Sequence, residues 1–201
     1  MQWPFKQELG RKILHLSATG YIITYWFFSW LLNAQAGLYA LLAMLMVFLF
    51  LEYLRLDCTV QVPIFSWMYS KYRRKNEKRT LGGEIFLISS VLIVFAVFSP
   101  AIATVASLMA VFGDTVAALV LYVSRIKLIR YRMLEASIAE FAINILVGGV
   151  VSIFLPLTWP VIVSMALIAT IVETLTFKVP DNFVIPLLSA GIGQLLVFLG
   201  V

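Results

Sequence analysis

Residues 101–123 read AIATVASLMAVFGDTVAALVLYV, an apolar stretch interrupted by a single carboxylate, Asp114. A transmembrane helix needs about 20 consecutive apolar residues, so this stretch is long enough to cross a bilayer. Small side chains at Ala110, Gly113 and Ala117 surround Asp114 at helical spacing and allow another helix to pack close beside it. A carboxylate in the hydrocarbon core needs a partner, a metal ion or a water-filled cavity. Asp114 is therefore a candidate functional residue, the alternative being a structural Asp paired with a buried Arg or hydroxyl.

Similar apolar stretches recur along the whole chain, which has 201 residues, of which 62% are hydrophobic and only 12% are charged. With a mean hydropathy of +1.00, this composition supplies too little polar surface for a soluble globule, so lipid must be the main solvent. The sequence predicts an all-α integral membrane protein, with residues 1–201 forming a single bundle of about seven transmembrane helices. The predicted spans are 13–32, 36–54, 83–99, 101–123, 136–155, 159–177 and 183–200.

The Lys and Arg residues are confined to alternate connections between these spans. All 15 lie before the first span or in the connections that follow the second, fourth and sixth spans. By the positive-inside rule, this pattern puts the N-terminus in the cytoplasm and the C-terminus outside. The net charge of +5 then indicates contact with a membrane surface and with anionic substrates, and no nucleic acid partner is expected.

A secretory signal peptide is an alternative interpretation of residues 13–32, since cations precede them and the small-x-small sequence Ala34-Gln35-Ala36 follows. The apolar stretch exceeds the usual signal-peptide length of about 7–15 residues. A transmembrane helix is therefore the favoured interpretation of this segment.

The first polar motif is Glu8-x-x-Arg11-Lys12-x-x-His15, whose spacing places Glu8, a cation and His15 on one helical face. His15 is the only histidine, and it would either orient a phosphate and carry a proton or serve as a hydrogen-bonded structural residue. A zinc site is not expected, because no second His and no Cys lies nearby.

The second polar motif is Glu77-Lys78-Arg79-Thr80-Leu81-Gly82-Gly83-Glu84, immediately before the third predicted span. Glycines at a helix N-terminus let backbone N–H groups approach an anion, although a plain loop is the alternative. Upstream, residues 65–75 combine aromatic side chains with a basic cluster, which predicts a short helix lying in the inner interface or a simple topology anchor.

Further carboxylates lie at or near the inner ends of the later spans. Glu135, Ser137 and Glu140 follow the cation-rich connection after the fourth span, and Glu173 and the pair Asp181-Asn182 bracket the connection between the sixth and seventh spans. Four inner segments thus contribute carboxylates and cations, whereas the outer segments contribute neither. This distribution is typical of a metal and phosphate site that faces the cytoplasm.

In this order, the motifs resemble those of the polyprenol kinase group, which includes dolichol kinase, phytol kinase and the CTP-dependent diacylglycerol kinases. Besides the first two motifs, the resemblance rests on Gly113-Asp114-Thr115-x-Ala117-Ala118, Leu134-Glu135-x-Ser137, Val172-Glu173 and Asp181-Asn182-x-x-Ile185-Pro186. The chain departs from the family pattern at residues 121–127 and at Ala136, where the family usually has glycines.

The resemblance implies transfer of the γ-phosphoryl group of a nucleoside triphosphate, usually CTP, to a lipid alcohol such as a polyprenol, a phytol-like isoprenoid or diacylglycerol. A divalent cation such as Mg²⁺ takes part, and the active site faces the cytoplasm from a prokaryotic plasma membrane or an organelle membrane. Carried over to this chain, the residues that the resemblance implies to be essential are Arg11, Lys12 and Asp114.

The predicted site combines these residues with the polar groups near them. We expect Mg²⁺ at Asp114, Glu135, Asp181 and Asn182, because this ion prefers oxygen ligands together with phosphate oxygens. Asp114 or Glu173 is expected to accept the proton of the lipid hydroxyl. The predicted catalytic residues are Arg11, Lys12, Asp114 and Glu173; the predicted nucleotide-binding residues are Lys78, Arg79, Thr80, Gly82, Gly83, Gly113, Arg132 and Ser137; Glu8 and His15 complete the set.

Three other functions remain open on the sequence. A CTP-dependent cytidylyltransferase acting on a phosphorylated lipid would use the same ligands and differ only in its products. A lipid or anion transporter would place its site at the midplane between repeats, and no repeat is apparent. A non-catalytic relative of the kinases is the third alternative, and a homo-oligomer is compatible with all of them.

Overall fold

The computed structural model describes residues 5–56, 81–129, 132–175 and 180–201, and helices dominate these residues. The helices are α1 (Phe5–Leu16), α2 (Thr19–Leu31), α3 (Ala34–Leu56), α4 (Gly83–Val97), α5 (Pro100–Val120), α6 (Leu134–Ser152), α7 (Trp159–Leu175) and α8 (Asp181–Phe198). The strands β1 (Lys127–Ile129) and β2 (Arg132–Met133) form a short antiparallel hairpin between α5 and α6. The helical class predicted from the sequence is confirmed, while the predicted interfacial helix near residues 65–75 lies outside the described residues.

Among the described residues, four helices are long and apolar enough to cross a membrane, namely α3, α5, α6 and α8. The helices α4 and α7 are apolar but shorter, with 15 and 17 residues. The described part of the chain is therefore consistent with a helical membrane protein. The helix α3 illustrates how such an element starts: Asn33 accepts a hydrogen bond from the backbone N–H of Ala36 at 2.9 Å and so caps the helix.

The prediction of one continuous helix over residues 13–32 was wrong. The helix α1 ends at Leu16, and a tight turn at Ser17 and Ala18 separates it from α2. The Ser17 hydroxyl donates to the carbonyl of Leu14 at 2.6 Å, and the Thr19 hydroxyl donates to the carbonyl of Leu16. Hydroxyl side chains that bond nearby carbonyls compete with the helical hydrogen-bond pattern, which explains the break.

The helix carrying Asp114 ends earlier than the predicted span of 101–123. Residues 121–123 form a turn after Val120, and the chain then enters the β1–β2 hairpin. Asp114 therefore lies six residues from the end of α5, or about 9 Å along the helix axis. Asp114 is thus closer to the helix end than in the predicted span, where nine residues follow it.

The chain divides into two compact units, residues 1–89 and 90–201. In the first unit, α2 packs against α3, and a Cβ atom at Gly37 would lie 2.7 Å from the backbone carbonyl oxygen of Tyr25. Only glycine allows this close approach of the two helices. The rings of Tyr21 and Phe48 add an edge-to-face contact with a centroid separation of 6.0 Å.

The second unit is built around α5, which contacts α6, α7 and α8. In its most apolar stretch, 67% of the α5 residues are buried, against 22% for α6 and 28% for α8. Close packing depends on glycines here as well, because a Cβ atom at Gly193 would lie 2.6 Å from the sulfur of Met165. The helix α5, which carries Asp114, is thus more buried than α6 and α8.

Hydrogen bonds define the two ends of this helical unit. At one end, the N–H of Ser99 donates to Gln194 at 2.9 Å, and the hydroxyl of Thr158 donates to the carbonyl of Val201 at 3.0 Å. At the other end, the hydroxyls of Ser137 and Thr174 lie 3.2 Å apart. The helices α5 to α8 therefore alternate in direction along the chain.

We predict that two glycine-to-alanine substitutions have opposite effects on stability. Gly191→Ala in α8 meets no atom within 4 Å and should raise the free energy of unfolding by roughly 0.5–1 kcal/mol through helix propensity. In Gly148→Ala in α6, the new methyl group would overlap the buried side chain of Ile162. This variant should lower the free energy of unfolding by about 1–3 kcal/mol. Denaturant unfolding in detergent measures both values, and a stabilised Gly148→Ala variant would contradict the packing described.

Candidate functional site

Three carboxylates from three helices of the second unit converge on one point. Asp114 comes from the C-terminal half of α5, Glu173 from the last turn of α7, and Asp181 from the first residue of α8. One carboxylate oxygen from each lies within 4.8 Å of the other two. Glu173 is only 2% exposed, and the other two side chains are partly buried. We call this group the carboxylate cluster.

The electrostatics of the carboxylate cluster favour a cation. Negative charges this close repel each other and are stabilised by positive charge or by protonation. The helices α4 to α8 contain no Lys or Arg, so any balancing positive charge would come from another part of the chain or from a bound ion. An all-oxygen set with one ligand atom from each of three residues fits a hard divalent cation such as Mg²⁺, which binds one or two carboxylates plus phosphate oxygens.

The N-terminus of α8 holds Asp181 in position. The Asp181 carboxylate accepts a hydrogen bond from the N–H of Asn182 at 2.9 Å, and the hydroxyl of Ser90 in α4 donates to the carbonyl of Asn182 at 3.0 Å. An acidic residue at this position is also favoured by the helix dipole. Asn182 thus supports Asp181 through its backbone, whereas the sequence had assigned it as a possible ligand.

The structure places Glu135 away from the carboxylate cluster. Its carboxylate accepts hydrogen bonds from the backbone N–H groups of Arg125 and Ile126 at 2.9 and 3.0 Å. The N–H of Leu134 also donates to the carbonyl of Ile126 at 2.9 Å. Glu135 therefore closes the base of the β1–β2 hairpin, which the sequence did not predict, and it is not one of the three clustered residues. Its position in the first turn of α6 explains why sequence alone suggested a ligand.

Ser137 lies close to the turn of α7 that carries Glu173. Its hydroxyl is within 3.2 Å of the hydroxyl of Thr174, the residue that follows Glu173, and Thr174 is buried. This contact ties α6 to the last turn of α7. Glu140, one turn further along α6, is also buried. Ser137, predicted to bind the nucleotide, thus lies beside Thr174, the neighbour of Glu173 in the carboxylate cluster.

In the first unit, α1 presents the motif Glu8-x-x-Arg11-Lys12-x-x-His15 on a helix, as predicted. Arg11 forms an ion pair with Glu8, at the i,i+3 spacing expected on one face. Lys12 is 1% exposed, which is rare for a lysine. Residues Lys78, Arg79 and Thr80 lie outside the described residues, as does the side chain of Arg132.

Glu52 is a site residue that the sequence analysis missed. It is buried near the end of α3, where its carboxylate forms an ion pair with Arg55 at 2.7 Å and accepts the N–H of Gly82 at 2.8 Å. This N–H is one of the groups predicted to contact phosphate, and here it is bonded to Glu52. In the sequence, the i,i+3 spacing of Glu52 and Arg55 at the end of an apolar helix could have predicted this ion pair. Glu52 therefore anchors the glycine pair Gly82-Gly83 that precedes α4.

Comparison with protein-family models, with curated proteins and with solved structures found no match to this chain.

We predict that the carboxylate cluster binds a divalent cation and that Glu135 takes no part. Asp114→Asn should weaken Mn²⁺ binding by roughly tenfold or more, since even residues behind the direct ligands change metal affinity by 10–100-fold. Glu135→Gln is the matched control and should leave the affinity unchanged, because its carboxylate serves the hairpin. Isothermal titration with Mn²⁺ measures these affinities. Equal weakening in the two variants would show that the cluster is not the binding site.

We predict that Glu52 is required for the stability of the first unit. Glu52→Gln removes a buried charge that Arg55 and the N–H of Gly82 both contact, and it should lower the free energy of unfolding by about 1–3 kcal/mol. Glu84→Gln is the control, because Glu84 is exposed in the first turn of α4 and surface charges contribute about 0–1 kcal/mol. Thermal unfolding in detergent compares the two, and an equal loss in both variants would contradict this role.

Proposed function

We propose that this protein is a membrane lipid kinase. It transfers the γ-phosphoryl group of a nucleoside triphosphate, with CTP as the favoured donor, to the hydroxyl of a long-chain lipid alcohol. The acceptor class includes polyprenols, phytol-like isoprenoids and diacylglycerol. The proposal draws on the motif resemblance set out above and on the geometry of the second unit.

The observation that carries the proposal is the convergence of Asp114, Glu173 and Asp181 within an apolar helical unit. Three carboxylates held together by α5, α7 and α8 are costly in such surroundings. Phosphoryl transfer gives this arrangement a use, because its catalysis consists mainly of positioning and charge stabilisation around a metal–phosphate complex. The geometry therefore favours phosphoryl transfer over a purely structural role for these three residues.

In the proposed site, Asp114 and Asp181 would hold Mg²⁺, and Glu173 would complete the set. When bound, Mg²⁺ would neutralise negative charge on the nucleotide phosphates. The N–H of Asn182 donates to the Asp181 carboxylate, and the Ser90 hydroxyl donates to the Asn182 carbonyl. These two bonds would orient Asp181 before the substrate binds. Such preorganisation limits the rearrangement needed when the nucleotide binds.

The transfer step follows from these roles. The alcohol oxygen forms a bond to the γ-phosphorus while the bond from that phosphorus to the β–γ bridging oxygen breaks. The products are the lipid phosphate and a nucleoside diphosphate. The hydroxyl proton passes to Glu173 or Asp114.

The basic residues of the sequence motifs are the proposed ligands of the nucleotide phosphates. We propose that Arg11, Lys12, Lys78 and Arg79 bind the triphosphate, because cations stabilise the charge that develops on its equatorial oxygens. Arg132, in the hairpin connection, would act in the same way. These five residues belong to segments that the positive-inside rule assigns to one face of the membrane.

The finer topology is part of the proposal. Seven spans, a cytoplasmic N-terminus and an outer C-terminus would bring every cationic connection to the cytoplasmic face. The turn between α1 and α2 would then lie within the first crossing. The lipid alcohol would enter laterally from the inner leaflet, and the nucleotide would arrive from the cytoplasm.

A transfer assay tests the proposed function directly. Purified protein reconstituted in lipid is incubated with Mg²⁺, γ-labelled CTP or ATP, and mixed lipid alcohols, and labelled lipid is measured. We expect labelled lipid from the wild type and roughly 100-fold less or lower from Asp114→Asn, a loss similar to that of removing a main stabilising group. Ser152→Ala, at the far end of α6 with its hydroxyl bonded to Gly149, should retain full activity.

Other products would point elsewhere. A CDP-lipid with pyrophosphate, formed from a phosphorylated lipid, would indicate a cytidylyltransferase in place of a kinase. No labelled lipid from folded wild type with any of the alcohols would overturn the kinase proposal.

A further inference from the structure

The side chain of Asn144 in α6 is completely buried, with 0% exposure. Within the described parts of the chain, neither its oxygen nor its nitrogen has a hydrogen-bond partner. Buried amides in folded proteins are almost always paired, and an unpaired one calls for an explanation such as a bound water or ligand. Asn144 therefore marks a point in the second unit where a polar molecule is expected.

The amide of Asn144 lies against the backbone of α5 next to Asp114. A Cβ atom at position 113 would lie 2.8 Å from Oδ1 of Asn144 and 3.1 Å from its Nδ2, so only glycine leaves room for the amide. Gly113 directly precedes Asp114, a member of the carboxylate cluster. The unpaired amide is thus adjacent to the helical turn that supplies Asp114 to the cluster.

Two further buried polar atoms extend this pattern. The hydroxyl oxygens of Ser107 in α5 and Thr170 in α7 are buried without a hydrogen-bond partner in the described residues. Ser107 lies seven residues before Asp114, and Thr170 lies three residues before Glu173, so each shares a helical face with its carboxylate. Polar character therefore continues from the cluster further into the bundle along two of its helices.

The chemistry of this region selects a neutral ligand. A carboxamide offers both donors and acceptors, which matches a hydroxyl. Asn144 lies ten residues into α6, and the next turn packs apolar side chains, since Gly148 faces Ile162 and Met109. A phosphate would have to leave water to enter this apolar environment. The surroundings suit the hydroxyl of a lipid alcohol whose tail stays in the hydrocarbon.

We propose that Asn144 binds the hydroxyl of the acceptor alcohol, with Gly113 providing the space for the amide beside Asp114. This inference rests on the proposed function and assigns the acceptor subsite within it. In this arrangement the amide holds the hydroxyl next to the carboxylate cluster, and the lipid tail occupies the apolar side.

A binding experiment without nucleotide tests the subsite. The thermal unfolding of purified protein is measured with increasing geranylgeraniol or geranylgeranyl acetate, which has the same tail but no hydroxyl to donate. We expect the alcohol to stabilise the wild type at roughly tenfold lower concentration than the ester, since one hydrogen bond corresponds to about a factor of ten in affinity. Asn144→Leu should abolish this difference.

Thr104→Val is the matched control, because Thr104 is also buried in α5 but its hydroxyl donates to the carbonyl of Pro100 at 2.7 Å. This variant should keep the preference for the alcohol. Asn144→Ala replaces the leucine variant if the latter does not fold. The proposal is overturned if Asn144→Leu keeps the preference, which would indicate a structural water at the amide. It is also overturned if the wild type shows no preference with geranylgeraniol or with dioleoylglycerol over its acetate ester.

The outcome is separable from that of the transfer assay. Binding of the alcohol requires no phosphoryl donor, so a hydroxyl-dependent shift would persist even if no labelled lipid formed. Conversely, if Asn144→Leu makes labelled lipid with an unchanged KM for the alcohol, the acceptor subsite lies elsewhere and the kinase proposal stands.

Discussion

Three carboxylates crowded within 4.8 Å between apolar helices are the constraint on which the second unit depends. Such a group is unfavourable in lipid unless it is enclosed, oriented and balanced by positive charge. The helix α5 provides the enclosure, because it is the most buried of the four long apolar helices. The turn into α8 provides the orientation, through the hydrogen bonds around Asn182. The packing and the polar contacts thus serve the same group of charges.

Glycines make this enclosure possible. Gly113, Gly148 and Gly193 each lie where a Cβ atom would come within 3 Å of a side chain on a neighbouring helix. Helices in lipid gain little from the hydrophobic effect, so close approach and van der Waals contact must hold them together. At Gly113 the space is filled by an amide instead of a hydrocarbon group. Glycine therefore allows the helices to pack closely and, at Gly113, also allows a polar side chain to lie next to the carboxylates.

The sequence singled out each residue of the carboxylate cluster separately, but it did not specify which of the candidate residues lie together. Asp114 was singled out because a carboxylate in an apolar helix is costly, and Glu173 and Asp181 because they lie near the inner ends of their predicted spans. Glu135 was predicted as a metal ligand from its position beside the cation-rich connection, and in the structure its carboxylate accepts hydrogen bonds from the hairpin backbone. Glu52 and Asn144 were not assigned a role. A side chain's partners depend on which helices meet, and spacing along one helix does not specify that.

The sequence by itself determined that the chain forms apolar helices and that its charges gather at alternate connections, since composition and periodicity are local properties. It also located the helix ends to within a few residues, except at Ser17 and Ala18, where hydroxyl-to-carbonyl bonds break a helix that hydropathy cannot distinguish from a continuous one. Only the tertiary structure decided that Asp114, Glu173 and Asp181 meet and that Asn144 lies against Gly113. Most of these contacts join residues tens of positions apart, and they follow from the packing of whole helices.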